Sequence, residues 1–478
     1  MTRKKMTLFL TAFLFSNQAI SLPEDGFMFR EPFSSSKVDL QEDKEESVDE
    51  EEDNKEWDQF IEDNNLKAVI NNSSYKNMFT TQYGTRNYDK WNSIVWQNVS
   101  NEFPQAPYPS STPDTFYIVG CSGNNLNGFS SISSFTTLVL ANCQMENFSS
   151  LSSLNNVRNT LIIMQNNNLK SLNGLEKVDS VSNMVTIDSN INLSSISGLS
   201  GLKYVGNLDI SGNNRLSDIN LGSLMSVDED LKITFNSNLS SIFLSSLLNV
   251  GETLKINSND LDTISMGSLA SIGKDFKIAN NSMNHLKTPS LEFIGGDFDI
   301  NSSSLLDING ANNLEKIGNN LNIQFNDSLS GINDFNSLKE IGNTFRVGNN
   351  NLLENISGFN SMETLENLLI ESNKKLLSIS GFDSIKSING NVIIDRTPEL
   401  ITVNAFNNLE TIYGDLMIGE TVNPLDISWL KNIKINGNIR INTEVKSKLP
   451  LSSKFCTEND QSRFTNSSFE NIKGKFCA

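Results

Sequence analysis

The chain has 478 residues and a formal net charge of −19, with 56 acidic against 37 basic residues, 4 cysteines and 1 histidine. An acidic balance of that size repels phosphate backbones and argues against a nucleic-acid partner. The cysteines have no C-x-x-C spacing, which excludes the common zinc patterns and fits two disulfides in an oxidising compartment.

In chain order, Arg3, Lys4 and Lys5 precede the apolar run MTLFLTAFLF and a polar stretch ending Ala19-Ile20-Ser21. A basic start, a short apolar run and small residues before a cut predict a secretory signal peptide over 1–21. The run is too short to span a bilayer. The polar C-terminus FTNSSFENIKGKFCA lacks the hydrophobic tail of a GPI signal. The expectation is a protein secreted, or held at a cell surface by non-covalent contacts, and periplasmic in a bacterial host. Residues 22–65 form an acidic spacer: from Asp39 to Asp63 the only cations are Lys44 and Lys55. So few apolar groups cannot offset chain entropy, and disorder is expected.

Residues 66–115 carry Tyr75, Phe79, Tyr83, Tyr88, Trp91, Trp96, Phe103 and Tyr108. In YDKWNSIVWQNVSNEF, Trp91, Ile94, Val95 and Asn98 share one helical face, which predicts a small helical cap. A sugar-stacking aromatic platform is the alternative.

From there a unit repeats. The pattern L-x-[IV]-x-x-[N/S/T] begins at Leu161, Val185, Leu208, Leu231, Leu254, Phe276, Phe298, Leu321, Phe345, Leu368, Val392, Leu416 and Ile439, with weaker copies at Phe116 and Leu138. The steps of 22–24 residues are the signature of a solenoid, here about fifteen rungs over 116–444. Leu208 and Ile210, two apart, face one side of a strand and point inward. Gly206, Gly273, Gly296, Gly390 and Gly414 precede the strand, where a tight turn with positive φ is expected. Asn166, Asn190, Asn213, Asn236, Asn259, Asn281, Asn326, Asn350 and Asn373 form one column, with Ser303, Thr397 and Thr421 substituting. An inward amide there would satisfy backbone groups left unpaired by the bend. Cys121 and Cys143 occupy the same column in successive rungs. Strands stacked about 4.8 Å apart suit a Cys121–Cys143 disulfide. Cys456 and Cys477 would close a C-terminal cap over 445–478, where the solenoid end needs covering.

The cadence of LEKIGNNLNIQFNDSLSGINDFNSLKEIGN (314–343) resembles the receptor L-domain family, closest to its fungal cell-wall and sporulation-type members. The resemblance implies a right-handed, leucine-rich-repeat-like β-helix with parallel sheets, placed outside the cell, with roles in binding or wall architecture. The fold class is therefore mostly β.

General acid–base chemistry needs paired carboxylates or a tuned histidine. His285 stands alone, and no G-x-S-x-G elbow accompanies it. Glu371 and Asp395 should be neighbours on successive rungs beside Arg396, a pair that a glycosidase could use; a solvated pair is preferred. No metal or cofactor is implied. The outward column is the candidate binding surface: Asp209, Lys232, Lys255, Lys277, Asp299 and Arg346, then Leu369, Ile393 and Met417. The lysines suit an anionic partner, although ordinary charge mixing fits them too. Exposed adjacent apolar groups mark contact sites. The reading is a non-enzymatic binding or structural protein recognising an extracellular protein or cell-wall glycan. The alternatives are a carbohydrate-active β-helix enzyme and a leucine-rich-repeat protein-binding module. Sequons at Asn98, Asn238, Asn326 and Asn355 follow from the asparagine and serine content alone.

Overall fold

The computed structural model describes residues 93–97, 115–119, 130, 132–301, 304–459, 461–464 and 472–478. The chain divides into two units, Met1–Asn92 and Ser93–Ala478. The signal peptide, the acidic spacer and most of the aromatic-rich cap lie outside the described residues.

In the second unit every described copy of the repeat is a strand paired in parallel with the next copy. Leu208 lies in register with Leu231, then Leu254, Phe276, Phe298 and Leu321. The register continues through Phe345, Leu368, Val392, Leu416 and Ile439. These side chains are buried, as are those two residues further on, from Ile210 to Ile441. Alternation along a strand sends both to the same side, and each layer buries only against its neighbours. The fold is a parallel β-solenoid.

Among the described residues the stack includes one layer before the first counted repeat. Ser93–Gln97 is a strand, paired in parallel with Thr115–Val119, with Ile94 in register with Phe116 and Trp96 with Ile118. The expected capping helix is therefore absent from 93–97. A short window with helical i, i+3, i+4 spacing also contains the i, i+2 pair Ile94 and Trp96. A partner strand at the repeat distance selects the second pattern.

The opposite wall of the coil is a broken set of small parallel sheets, such as Asp218–Asn220, Ser241–Phe243 and Thr263–Ser265. Near the C-terminal end this wall is filled by stacked rings. Phe335, Phe359, Phe382 and Phe406 follow at centroid separations of 5.2, 4.8 and 5.2 Å, and Trp429 ends the row 5.5 Å beyond. Offset stacking at these distances adds to plain burial.

The asparagine column is a buried ladder that clamps each layer to the one before. Asn236 Oδ1 accepts the backbone N–H of Asn213 at 3.0 Å, and its Nδ2 donates to the Ile210 carbonyl at 3.0 Å. Asn213 treats Asn190 and Ile187 in the same way, at 3.0 and 2.9 Å. The series runs from Asn166 to Asn281, and again through Asn326, Asn350 and Asn373. Asn166 Oδ1 also takes the N–H of Cys143 at 2.8 Å. Thr421 bonds Thr443 where the column changes residue type. Ser303 lies outside the described residues.

A left-handed residue precedes each rung of this ladder and turns the amide inward: Ser189, Phe235, Ser258, Asn280, Phe325, Asn349, Ser372 and Arg396 all have φ between 52° and 58°. The positive-φ turns thus sit after the strand and, apart from Gly212 ahead of Asn213, use residues other than glycine. The glycines before the strand answer a different need. Gly206, Gly273, Gly296, Gly390 and Gly414 are not left-handed; a Cβ on Gly273 would stand 1.9 Å from the Gly251 carbonyl oxygen one layer below. Close approach of layers excludes a side chain there.

Cys143 is disulfide-bonded, while Cys121 lies outside the described residues. At the other end Cys456 and Cys477 are joined, with Cα atoms 6.0 Å apart. The helix Lys454–Glu458 carries buried Phe455 over the last layers, and the Ser453 side chain caps it by accepting from the Cys456 N–H.

Candidate binding surface

The outward column of the principal strands changes character along the stack. Lys232, Lys255 and Lys277 are in register, followed by Asp299, Asn322 and Arg346. Leu369, Ile393 and Met417 then occupy three successive layers, with Arg440 after them. All three apolar side chains are half-buried. The strand face that the sequence brings together is thus present as a contiguous column.

Two of the three lysines are neutralised in place. Lys232 pairs with Asp230, while Lys277 lies 2.8 Å from Asp275 and 3.8 Å from Asp299. Asp230 feels the desolvation of its site, but hydrogen bonds from Lys232 and the Thr253 N–H outweigh it and hold the carboxyl below its usual range. At Lys277 burial opposes the charge, yet the Asp275 hydrogen bond and the neighbouring carboxylates keep the ammonium above its usual value. Asp299 goes the other way: burial raises it, and the Asn322 amide and Lys277 offset only part of that. Of the longer Lys277–Asp299 contact, the lysine is held chiefly by Asp275, and burial governs Asp299. Lys232 and Lys277 are thus charge-balanced by the protein itself, while Lys255, between them, has no ion pair among the described residues.

The aspartates that neutralise Lys232 and Lys277 belong to a second ladder, just before the strand, which sequence reading missed. The Asp230 N–H donates to Asn207 Oδ1 at 3.2 Å, and the Thr253 N–H donates to Asp230 Oδ1 at 3.0 Å. Asp275, Asp297, Asn320, Thr344, Asn367, Asn391, Asp415 and Asn438 continue it. Its signal was an Asn, Asp or Thr immediately ahead of L-x-[IV], in every copy but the one at Val185, which follows Met184.

Glu371 and Asp395 are in register as expected. Both are engaged: Arg346 and Arg396 reach Glu371 at 3.1 and 3.4 Å, and Arg396 Nε reaches Asp395 at 3.4 Å. Two carboxylates spoken for by guanidinium groups form an ion-pair cluster, not a poised acid and nucleophile. His285 is half-exposed, with Nδ1 2.7 Å from Asp307 Oδ2 in the adjacent strand. Among the described residues no cluster of three metal-ligating side chains occurs, and no helix is long and apolar enough to cross a membrane.

No protein-family model and no curated protein sequence matches the chain. Among solved structures it is similar to an internalin (inlF) of Listeria monocytogenes, at 20% identity over 55% of this chain and 84% of that one, with a TM-score of 0.28. It is also similar to the functional domain of InlJ from Listeria monocytogenes, which includes a cysteine ladder, at 16% identity over 64% of this chain and 72% of that one, with a TM-score of 0.28. Likeness this loose transfers no activity or partner. The strand register establishes the fold by itself: a parallel, leucine-rich-repeat-like β-solenoid.

Proposed function

We propose that the chain is a secreted or surface-displayed, non-enzymatic binding protein that recognises an extracellular protein through the outward face of its principal sheet, centred on Leu369, Ile393 and Met417. The observation that carries this reading is the stacking of three half-exposed apolar side chains, in register, directly after a mostly charged run from Asp209 to Arg346. Adjacent apolar groups on a rigid sheet bury together at little ordering cost, and a rim of charge excludes other partners. Arg346, Glu371, Arg396, Asp395 and Arg440 supply that rim. The N-terminal Arg3–Ser21 pattern and the Cys456–Cys477 disulfide support placement in an oxidising, extracytoplasmic compartment.

The test compares the purified full chain with its Leu369→Asp/Ile393→Asp variant on an array of extracellular proteins and cell-wall glycans. The reading expects protein partners that bind the first and not the second. Binding confined to glycans, or insensitive to the substitutions, contradicts it.

A further inference from the structure

A second apolar surface lies on the corner that precedes the principal strand, away from the Leu369–Met417 column. Met225, Leu248 and Ala270 stack in successive layers: the Leu248 N–H donates to the Met225 carbonyl and the Ala270 N–H to that of Leu248, both at 2.9 Å. Tyr204 joins at one end, with its hydroxyl 3.5 Å from Met225 Sδ, and Phe293 at the other, its N–H donating to the Ala270 carbonyl. Tyr204, Met225, Leu248 and Phe293 are 49, 36, 47 and 38% exposed. Three consecutive layers of this column are therefore apolar, between Lys203 and Glu292, and Tyr204 and Phe293 extend the ridge from the next position in the layers at either end, whereas single exposed apolar residues are the ordinary condition of a surface.

The charges beside the ridge select what covers it. Its cations are already paired, Lys203 with Asp179 and Lys274 with Glu252. Asp228, Glu229 and Glu292 are exposed, and among the described residues no cation pairs with them. A second copy of the chain would bring the same carboxylates face to face, on a protein of net charge −19. A basic partner relieves that repulsion. Spacing selects its conformation. The ridge advances one side chain per layer, about 4.8 Å. An α-helix lying along the stack offers an apolar side chain about every 5.4 Å, whereas an extended strand offers one per face about every 6.7 Å. The helix is the better match over five layers.

We infer that the Tyr204–Phe293 ridge is a docking site for a basic amphipathic helix of a partner protein, its apolar stripe laid along the layers and its Lys or Arg residues facing Asp228, Glu229 and Glu292. This site is independent of the sheet-face reading, since the two share no residue. The experiment titrates the full chain with a synthetic helical peptide bearing leucine at i, i+3, i+4 and i+7 and lysine on the flanks. Two control peptides carry serine for leucine or glutamate for lysine. The expected result is saturable binding of the first peptide only, weakened about tenfold or more, some 1.4 kcal/mol, by Met225→Ser/Leu248→Ser. Leu369→Asp/Ile393→Asp leaves it unchanged. Circular dichroism melts check that the serine variant folds, as exposed positions should permit. Equal binding to the serine variant or to the glutamate peptide overturns the inference. So does a sedimenting dimer that the serine variant dissolves, because the ridge is then covered by a second copy.

Discussion

Two polar ladders run along the same strands, one before and one after, and they obey different rules. The downstream ladder is buried and almost entirely asparagine; the upstream ladder is half-exposed and mixes asparagine, aspartate and threonine. In the downstream ladder each amide must accept a backbone N–H and also donate to a carbonyl one layer back, as Asn236 does with Asn213 and Ile210. An amide carries its acceptor and its two donor hydrogens on separate atoms, so one side chain reaches both backbone groups at once. In the upstream ladder Asp230 needs only to accept from Thr253, so a carboxylate serves, and water or a lysine satisfies its second oxygen. Burial and the need for a donor, not position in the repeat, decide how narrowly a residue is specified.

That contrast can be broken most sharply at Asn236. Asn236→Asp removes the donor to Ile210 and buries a charge, and should destabilise by about 4 kcal/mol in urea titrations. Asn236→Ala leaves the Asn213 N–H and the Ile210 carbonyl unpaired without adding charge, and should cost about 2 to 3 kcal/mol. A loss under about 1 kcal/mol for both would remove the ladder from the account of stability. At the corner just ahead of the ladder, Phe325 is exposed with φ of 57°. Phe325→Gly should stabilise by about 1 kcal/mol if the left-handed conformation is a cost that packing does not return.

Smaller effects test the upstream side. Asp299 is raised by burial, so its charge opposes folding above its folded-state value, and the opposition fades as the pH falls through that value. Asp299→Asn should therefore raise the melting temperature at pH 7, with the gain gone below the ordinary aspartate value of about 3.9. Asp230 has the opposite sign: it is held low in the fold, so its stabilising contribution is complete above the ordinary value and lost as acid titrates it. The smallest change belongs to Asn367→Asp, where the Asp-tolerant ladder should absorb the substitution within about 0.5 kcal/mol.

Much of the layer plan was legible in the sequence because it repeats. The inward pairs such as Leu208 and Ile210, the asparagine column, and the adjacency of Lys232, Lys255 and Lys277 all follow from one period and the two-residue alternation of a strand. What was not legible depends on groups a single strand does not show. Ser93–Gln97 reads as a helix until the partner 22 residues on is considered. Gly273 looks like a turn residue, but the backbone of the layer below is what forbids a side chain. The left-handed corners were hidden because serine, asparagine and even phenylalanine occupy them. Lys232 and Lys277 read as free charges only while Asp230 and Asp275 of the upstream ladder go unnoticed. The Tyr204–Phe293 ridge escaped because its members alternate between two adjacent sequence positions.

The account rests on layers tied together through their buried amides, since that rigidity is what turns scattered outward residues into continuous surfaces. Native-state hydrogen exchange reads it directly. The backbone N–H of Asn190 and Asn213 should be among the most protected in the chain, and Asn236→Ala should accelerate Asn213 far more than Asn190. An unchanged rate at Asn213 in that variant would contradict the ladder and the stacked surfaces built upon it.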